Sequence, residues 1–245
     1  MSKGSLPLYK EVRNHLVARL AEGLWRPGDL MPSEPKLAEM FGVGISTIRQ
    51  AIHDLESDDV LIRRQGKGTF VALHSNPQRA GQFHSLVAED GSKEIPFRSL
   101  LSAKRVVASR QIAERLAIKP RSGRAVVYRF KFLSSLSSQP IIVTEVTLPT
   151  SLFPRLSRAS FPNGSELLYS IFQTKFHVNV IRIEEELTAV SVDAGCAKLL
   201  RVPCNSPILK IERVAYTFGG VAVEFRESWV KTSHIRYHRE QGTAY

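Results

Sequence analysis

The sequence predicts an α+β protein in two parts: three short helices closed by a β-hairpin, then a mostly antiparallel sheet with helices against it. Three observations carry this expectation. Apolar residues between positions 8 and 55 recur at helical spacing, in runs separated by glycine and proline. From Val60 to Val71 the pattern changes to strand, glycine-rich turn and strand. A segment beginning at Ala113 then returns at Ala197, an offset of 84 residues, each copy reading helix, turn, strand and hairpin.

Composition bounds the function. The chain has 245 residues, 43% hydrophobic and 23% charged, the profile of a globular protein of one large or two ordinary domains. No run of eighteen apolar residues occurs and the N-terminus has no apolar signal core, so neither a membrane span nor secretion is expected. Two cysteines, Cys196 and Cys204, are too few for a disulfide scaffold and have no metal-binding spacing; they read as small packed residues in a reducing cytoplasm. The net charge of +11 favours anionic partners, but it is unevenly spread. Residues 1–75 carry ten Lys and Arg against nine Asp and Glu, and the excess lies beyond them. Anion binding by the first part must therefore come from where its cations sit.

In the first helical run Leu8, Val12, Leu16 and Leu20 recur four apart and form one apolar face, with Ala18 and Leu24 nearby. Gly23 can end the helix, and Pro27-Gly28 turns the chain. Ser33 then suits an N-cap, Glu34 and Pro35 a first turn, and Leu37, Met40 and Phe41 an inward face before Gly42 ends the second helix. The third helix follows almost at once. Ile45, Ile48, Ile52 and Leu55 are expected to bury one face, which leaves Ser46, Arg49, Gln50 and His53 opposite, with Thr47 beside them. Two short helices joined by a tight glycine turn read as helix-turn-helix, whose second helix offers Arg49 and Gln50 to base edges.

The stretch RRQGKGTFV, residues 63–71, has two readings. A phosphate-binding nucleotide loop needs G-x-x-x-x-G-K-[ST] between a strand and a helix. Here Lys67 is followed by Gly68, no first glycine stands at the required distance, and the chain continues as a strand. The stretch is a basic hairpin tip instead. Gly66 and Gly68 let the backbone approach a phosphate or a groove edge, and Arg63, Arg64 and Lys67 neutralise phosphates. No acidic residue lies between Val60 and Leu73, so the positive charge is local to the hairpin.

At this point residues 7–71 resemble, without a gap, the winged-helix DNA-binding domain of the GntR family of bacterial transcription regulators. The resemblance runs through PGDLMPSE, LAEMFGV, TIRQAIHDLE and the wing RRQGKGTFV. It implies that Ser46, Thr47 and Arg49 hold DNA and that Gly66 to Gly68 form the wing tip. Two positions depart from the pattern: Pro35 and Ile45 stand where the family commonly has arginine. With Ile45 assigned to the buried face, the expectation is an operator that differs from the usual one or is read more loosely.

ALHSNPQRAGQFHS reads as a linker, which gives domains at 1–73 and 95–245 with 74–94 between them. In the repeat, Leu116 aligns with Leu200, Ile118 with Val202, Ser122 with Ser206, Val127 with Ile211, Arg129 with Arg213 and Phe132 with Tyr216. The return strands IIVTEVTL and VAVEFRESWV place Glu145 and Glu224 in matching positions, and a helix (GSELLYSIFQTKF) and a strand (VNVIRIEEELTAV) separate the copies. SPILKIERVAY and VAVEFRESW are similar to the UTRA effector-sensing domain of the HutC-like subgroup, which has a chorismate lyase-like fold. That resemblance covers about residues 95–235. It implies an effector site built from Arg129, Lys131, Glu145, Ser165 and Glu224. Arg129 and Lys131 alternate on one strand and share a face, and Ser165 falls where a helix N-terminus offers N–H groups to an anion. The alternative for Arg129–Glu145 is a cross-strand surface pair of about 0–1 kcal/mol. Residues 98–131 are rich in Lys and Arg and contain one acid, Glu114, so the expected effector is anionic. Glu184–Glu186 read as a solvated strand edge and not as a metal site.

The resulting expectation is a DNA-binding transcriptional regulator, by preference a repressor. It would act as a homodimer on a double-stranded operator, answer to a small anionic metabolite, and use no cofactor, catalytic residue or metal. The alternatives are an enzyme on the lyase-like fold, for which no nucleophile elbow, metal cluster or cofactor loop is present in the sequence, and an effector-independent DNA-binding protein.

Overall fold

A computed structural model of the protein describes residues 6–58, 60–72, 86–88, 96–119, 124–161, 168–233 and 235–238. The chain divides into two compact units, one of residues 1–73 with the turn 217–221, the other of 74–216 and 222–245.

The first unit contains α1 (Leu8–Ala21), α2 (Glu34–Phe41), α3 (Ile45–Ser57), β1 (Leu61–Arg64) and β2 (Gly68–Val71). Val12, Leu16 and Leu20 of α1 are buried with Leu37 and Ala38 of α2 and Ile48, Ala51, Ile52 and Leu55 of α3. Ser33 caps α2 by accepting from the Lys36 N–H at 3.4 Å, and Gly42 ends it in the left-handed region at φ 63°. β1 and β2 pair antiparallel, with Arg63 opposite Thr69. The chain before α2 joins this hairpin: the Met31 N–H donates to the Thr69 carbonyl at 2.8 Å and the Val71 N–H to the Asp29 carbonyl at 2.9 Å.

The ends of the expected apolar faces differ. Leu8 is 52% exposed and Met40 and Ile45 are each 40% exposed, while Phe41 is half-buried. Leu8 and Ile45 are each the first residue of their helix and project past the shared core. Ala38 and Ala51 take up buried positions instead.

The second unit is a six-stranded sheet in the order β4-β5-β6-β9-β8-β7, with every described neighbour pairing antiparallel. Its elements are β4 (Phe97–Val107), α4 (Arg110–Arg115), β5 (Val126–Leu136), β6 (Gln139–Pro149), α5 (Leu168–Phe176), β7 (Arg182–Ser191), α6 (Ala194–Leu200), β8 (Pro207–Tyr216) and β9 (Ala222–Val230). The duplication is thus strand-helix-hairpin, twice, with β6 and β9 meeting at the centre. In the segment read as a linker, Leu86–Ala88 forms a strand, β3, that pairs with β10 (Ile235–Tyr237); most of 74–94 lies outside the described residues.

The two sheet faces are covered differently. On one, Ile112 of α4 and Leu116 just after it pack with Val127, Val214 and Phe225. On the same face Cys196, Ala197 and Leu200 of α6 pack with Val143 and Ile208. On the other, Leu168, Tyr169, Ile171 and Phe172 of α5 pack with Phe130, Phe132, Val146, Leu148, Ala215 and Val223.

The offset of 84 holds for the helices. Ser109 and Asp193 both cap their helices through side-chain oxygens, and Leu116 and Leu200 are both buried. It fails in the strands. Val127 faces α4 together with Val214, so Ile211, an odd number of residues from Val214 on a regular stretch of β8, faces the opposite side. Arg129 and Arg213, aligned in the sequence, therefore lie on opposite faces, because a register change of one residue reverses every side chain of a strand.

Candidate functional site

In the first unit, Arg49 of α3 and Arg63 of β1 are brought together through a shared carboxylate, and Arg64 of β1 and Lys67 in the turn before β2 lie on the same hairpin. Arg49 Nε donates to Glu34 Oε2 at 2.6 Å, and Arg63 Nη2 donates to Glu34 Oε1 at 2.7 Å. Glu34, at the start of α2, thus ties α3 to the hairpin. Arg63 Nε also lies 3.5 Å from Glu56 Oε1. The Arg64 guanidinium sits 4.8 Å from the Phe70 ring centre, a cation–π contact that extends it along the hairpin.

Ser46 and Arg49 are exposed and Thr47 is half-buried. Exposed Gln50 donates through Nε2 to Asp54 Oδ1 at 3.2 Å, so its amide is oriented along α3. Gly66 and Gly68 hold φ of 71° and 105°, and a Cβ at Gly68 would come within 2.8 Å of Leu30 Cδ1. The glycines shape the tip, as the hairpin reading requires. All nine residues singled out for DNA contact thus lie on α3 and the β1–β2 hairpin. Sequence reasoning missed Glu34, which had appeared only as a helix-start residue.

In the second unit, the five proposed effector residues do not form one constellation. Lys131 Nζ pairs with Glu145 Oε1 at 3.1 Å on the face that carries α4 and α6, and Arg129 lies opposite Thr147 on that same face. The cross-strand partner of Glu145 is therefore Lys131 and not Arg129. Glu224 is on the α5 face, and Ser165 lies outside the described residues.

Around Glu224 the structure assembles a group that the sequence reading did not. Glu224 is 0% exposed and accepts from Arg226 through Nε at 2.6 Å and Nη2 at 2.9 Å. The Tyr169 hydroxyl of α5 donates to Glu224 at 3.4 Å and accepts from Arg213 Nη1 at 3.4 Å. Arg213 in turn pairs with Glu185 at 2.6 Å, and the Tyr237 hydroxyl donates to Glu185 Oε2 at 2.8 Å. The Glu185 side chain is therefore shielded, only 4% exposed, contrary to the expectation of a solvated acidic edge; of the three acids only Glu184 and Glu186 are exposed.

Burial opposes charge on Arg213, but Tyr169 and Glu185 outweigh it and hold the guanidinium more firmly protonated than usual. Arg226 is likewise raised: burial opposes its charge and Glu224 overcomes that. Burial, then the Glu224 charge, pushes the Tyr169 hydroxyl up, so it stays neutral and can donate. Two carboxylates and two guanidiniums thus balance one another on the face covered by α5. The cysteines split: Cys196 is buried, its thiol pushed up to about 11 chiefly by burial and then by Asp193, while Cys204 is exposed, contrary to the expectation of two packed residues.

A winged helix with a cationic edge, and a separate sheet-and-helix unit with a buried polar cluster, define a DNA-binding regulator with a sensor domain. Residues 8–71 match the family described as bacterial regulatory proteins, gntR family, and residues 96–236 match the UTRA domain. The chain belongs to the GntR family of bacterial transcriptional regulators, with a UTRA effector-binding domain, and is not an enzyme. It is 27% identical over 234 residues to a Shigella flexneri protein named "Probable fructoselysine utilization operon transcriptional repressor", covering 93% of this chain and 92% of that one. It is 26% identical over 218 residues to the histidine utilization repressor of Pseudomonas aeruginosa, covering 89% of this chain and 84% of that one. Among solved structures, the ligand-binding domain of a GntR-family regulator from Bordetella bronchiseptica shares the fold, with a TM-score of 0.58 and 24% identity over 64% of this chain and 96% of that one. Among the described residues, no helix is long and apolar enough to cross a membrane.

Proposed function

We propose that the protein is a cytoplasmic, homodimeric repressor whose grip on a two-fold operator is released by a small anionic metabolite. The observation that carries the DNA half is the joined cationic edge, Arg49 and Arg63 on one Glu34 with Arg64 and Lys67 beyond them. In this reading α3 enters the major groove, where Arg49 and Gln50 reach base edges and Ser46 and Thr47 hold the backbone. The wing from Arg63 to Gly68 follows the neighbouring phosphates. Two copies reach successive grooves about 34 Å apart, so a modest change in the spacing of the DNA-binding domains breaks simultaneous contact.

For the effector half, the support is the buried cluster of Tyr169, Glu185, Arg213, Glu224 and Arg226, which couples α5 to the sheet. An entering anion competes with Glu185 and Glu224 for the two guanidiniums and so shifts α5 against the sheet. Two relatives named as repressors of utilization operons favour repression and a small nutrient-derived ligand. Arg129, Lys131 and Glu145 remain candidates only for a contact on the opposite face.

The test is fluorescence-anisotropy titration of the full chain against DNA from upstream of its own gene, at several salt concentrations. Arg49→Ala is expected to weaken binding by about 1–3 kcal/mol and to relax base preference, and Lys67→Ala to lower the salt slope by about 1. Affinity and slope unchanged in both variants would refute the reading. A thermal-shift screen of sugar phosphates and organic acids tests the effector half. Stabilisation by one of them that Arg213→Gln removes is the expected result; no shift with any anion removes the anionic effector.

A further inference from the structure

We propose that Ile45 is a specificity-determining residue that meets the C5 methyl group of a thymine in each half-site of the operator. The proposal rests on α3 entering the major groove. Its starting point is the difference between sequence and structure at this residue. The periodicity assigned Ile45 to the core with Ile48, Ile52 and Leu55, yet those three are buried and Ile45 is 40% exposed.

The exposed surface of α3 is otherwise polar. Arg49 and His53 follow Ile45 at successive four-residue steps and lie on the same side of the helix. Ser46, Gln50 and Asp54 form the adjacent row, with Gln50 and Asp54 hydrogen-bonded to each other. Gly44, the residue before the helix, adds no side chain in front of Ile45, and a Cβ placed there would meet only Ser46 Oγ at 3.7 Å. A β-branched apolar side chain thus leads the helix at the end that reaches deepest into a groove, one turn ahead of an arginine.

The chemistry of the groove narrows the partner. Base pairs display hydrogen-bond donors and acceptors on the major-groove floor, and the thymine C5 methyl is the one apolar group among them. A donor or acceptor facing Ile45 is desolvated without a partner, which disfavours that base. A methyl group facing it is withdrawn from water on both sides. Arg49 is fixed relative to α2 by its bond to Glu34 at 2.6 Å, so α3 presents Ile45 and Arg49 in a constant relation, and the thymine falls at a fixed step from the base that Arg49 reads.

The experiment uses the full chain and the best duplex obtained by selection from a random pool. Each thymine is replaced in turn by deoxyuridine, which removes the methyl and nothing else, and binding is read by anisotropy. For the unaltered protein, one symmetry-related pair of thymines is expected to show a loss of about fourfold per methyl, the effect of removing one apolar carbon from a contact. Ile45→Ala, a change at an exposed position whose folding is checked by circular dichroism, is expected to bind the methylated and unmethylated sites equally. Ile45→Val keeps the branch and is expected to keep the preference. If no thymine shows the loss, or if Ile45→Ala shows it as strongly as the parent, the proposal is overturned while operator binding stands. If the unaltered chain enriches no duplex, the DNA-binding reading fails and this inference falls with it.

Discussion

Replacing Glu224 by alanine leaves Arg226 in the sheet interior without its carboxylate. The size of the effect follows from what surrounds the pair. Glu224 has no exposed surface, and both of its oxygens are taken by the Arg226 guanidinium at 2.6 and 2.9 Å. Arg226 itself lies 5.3 Å over the Tyr169 ring, and its side chain is only 13% exposed. Removing one partner of a buried pair costs about 3–5 kcal/mol, because the remaining charge keeps its desolvation and loses its compensation. At about 2–4 °C per kcal/mol for a unit of this size, the melting transition of the C-terminal unit should fall by about 6–20 °C. The comparison that isolates the cause is Glu224→Met with Arg226→Met. This exchanges the pair for apolar side chains of similar length and should return to within about 1 kcal/mol of the parent. Calorimetric or fluorescence-detected unfolding reads both variants. A melting point for Glu224→Ala within a degree of the parent, or a double variant no better than the single one, would show that the pair is not the buried, mutually dependent unit described here. By contrast, Arg110–Glu114 on α4 is a fully hydrated i,i+4 pair, and its loss should go unnoticed in the same assay.

Other consequences follow from individual residues. Gly68→Ala should destabilise the wing by about 1–3 kcal/mol in urea unfolding through its φ of 105°; since the near atom is the tip of exposed Leu30, adding Leu30→Ala should not rescue it, and full rescue would shift the cause to crowding. Cys204 should react with a thiol reagent in the native protein at pH 8 while Cys196, its thiol raised to about 11 by burial, reacts only after unfolding; two fast thiols in the native state would contradict its placement. The raised Tyr169 hydroxyl favours folding below the ordinary tyrosine range near 10, and that contribution is lost as pH climbs through its raised value. Tyr169→Phe should therefore flatten the alkaline arm of the stability profile, and an unchanged arm would argue against a buried, neutral hydroxyl.

The local grammar of the chain was legible because it rests on short-range rules. Ser33 and Gly42 end α2 as cap chemistry dictates, and Gly66-Lys67-Gly68 turns a hairpin because no helix follows it. Periodicity reports which face of a helix is apolar but not where that face runs off the end of the core, which is why Leu8 and Ile45 were misplaced. The repeat was legible in its helices and misleading in its strands. Connections of different length enter β5 and β8, and a two-residue pleat turns an odd shift into the opposite face. The buried cluster escaped because its members come from α5, β7, β8 and β9, and pairing across that distance has no sequence period. One sign was present: on β8 the row Leu209, Ile211, Arg213, Ala215 is apolar except for the arginine, and a charge in such a row implies a buried partner.

The near-neutrality of the first domain can now be reconciled with its grip on a polyanion. Arg13 is paired with Asp58 and Lys36 with Glu39, so those cations are matched one to one. At the edge formed by α3 and the hairpin, Arg49 and Arg63 face two carboxylates, Glu34 and Glu56, and the same hairpin adds Arg64, which lies over Phe70, and Lys67. The unit's excess is therefore spent where a backbone of phosphates would run, and cancelled elsewhere. Glu34 does not merely subtract from that edge. By holding two arginines at once it limits their freedom before DNA arrives, which lowers the ordering cost of binding. It also sets a negative group beside them that a phosphate must outcompete. Glu34→Gln should accordingly raise affinity for random duplex while lowering the ratio of operator to random binding. A variant in which both affinities moved together would reduce Glu34 to a charge among others.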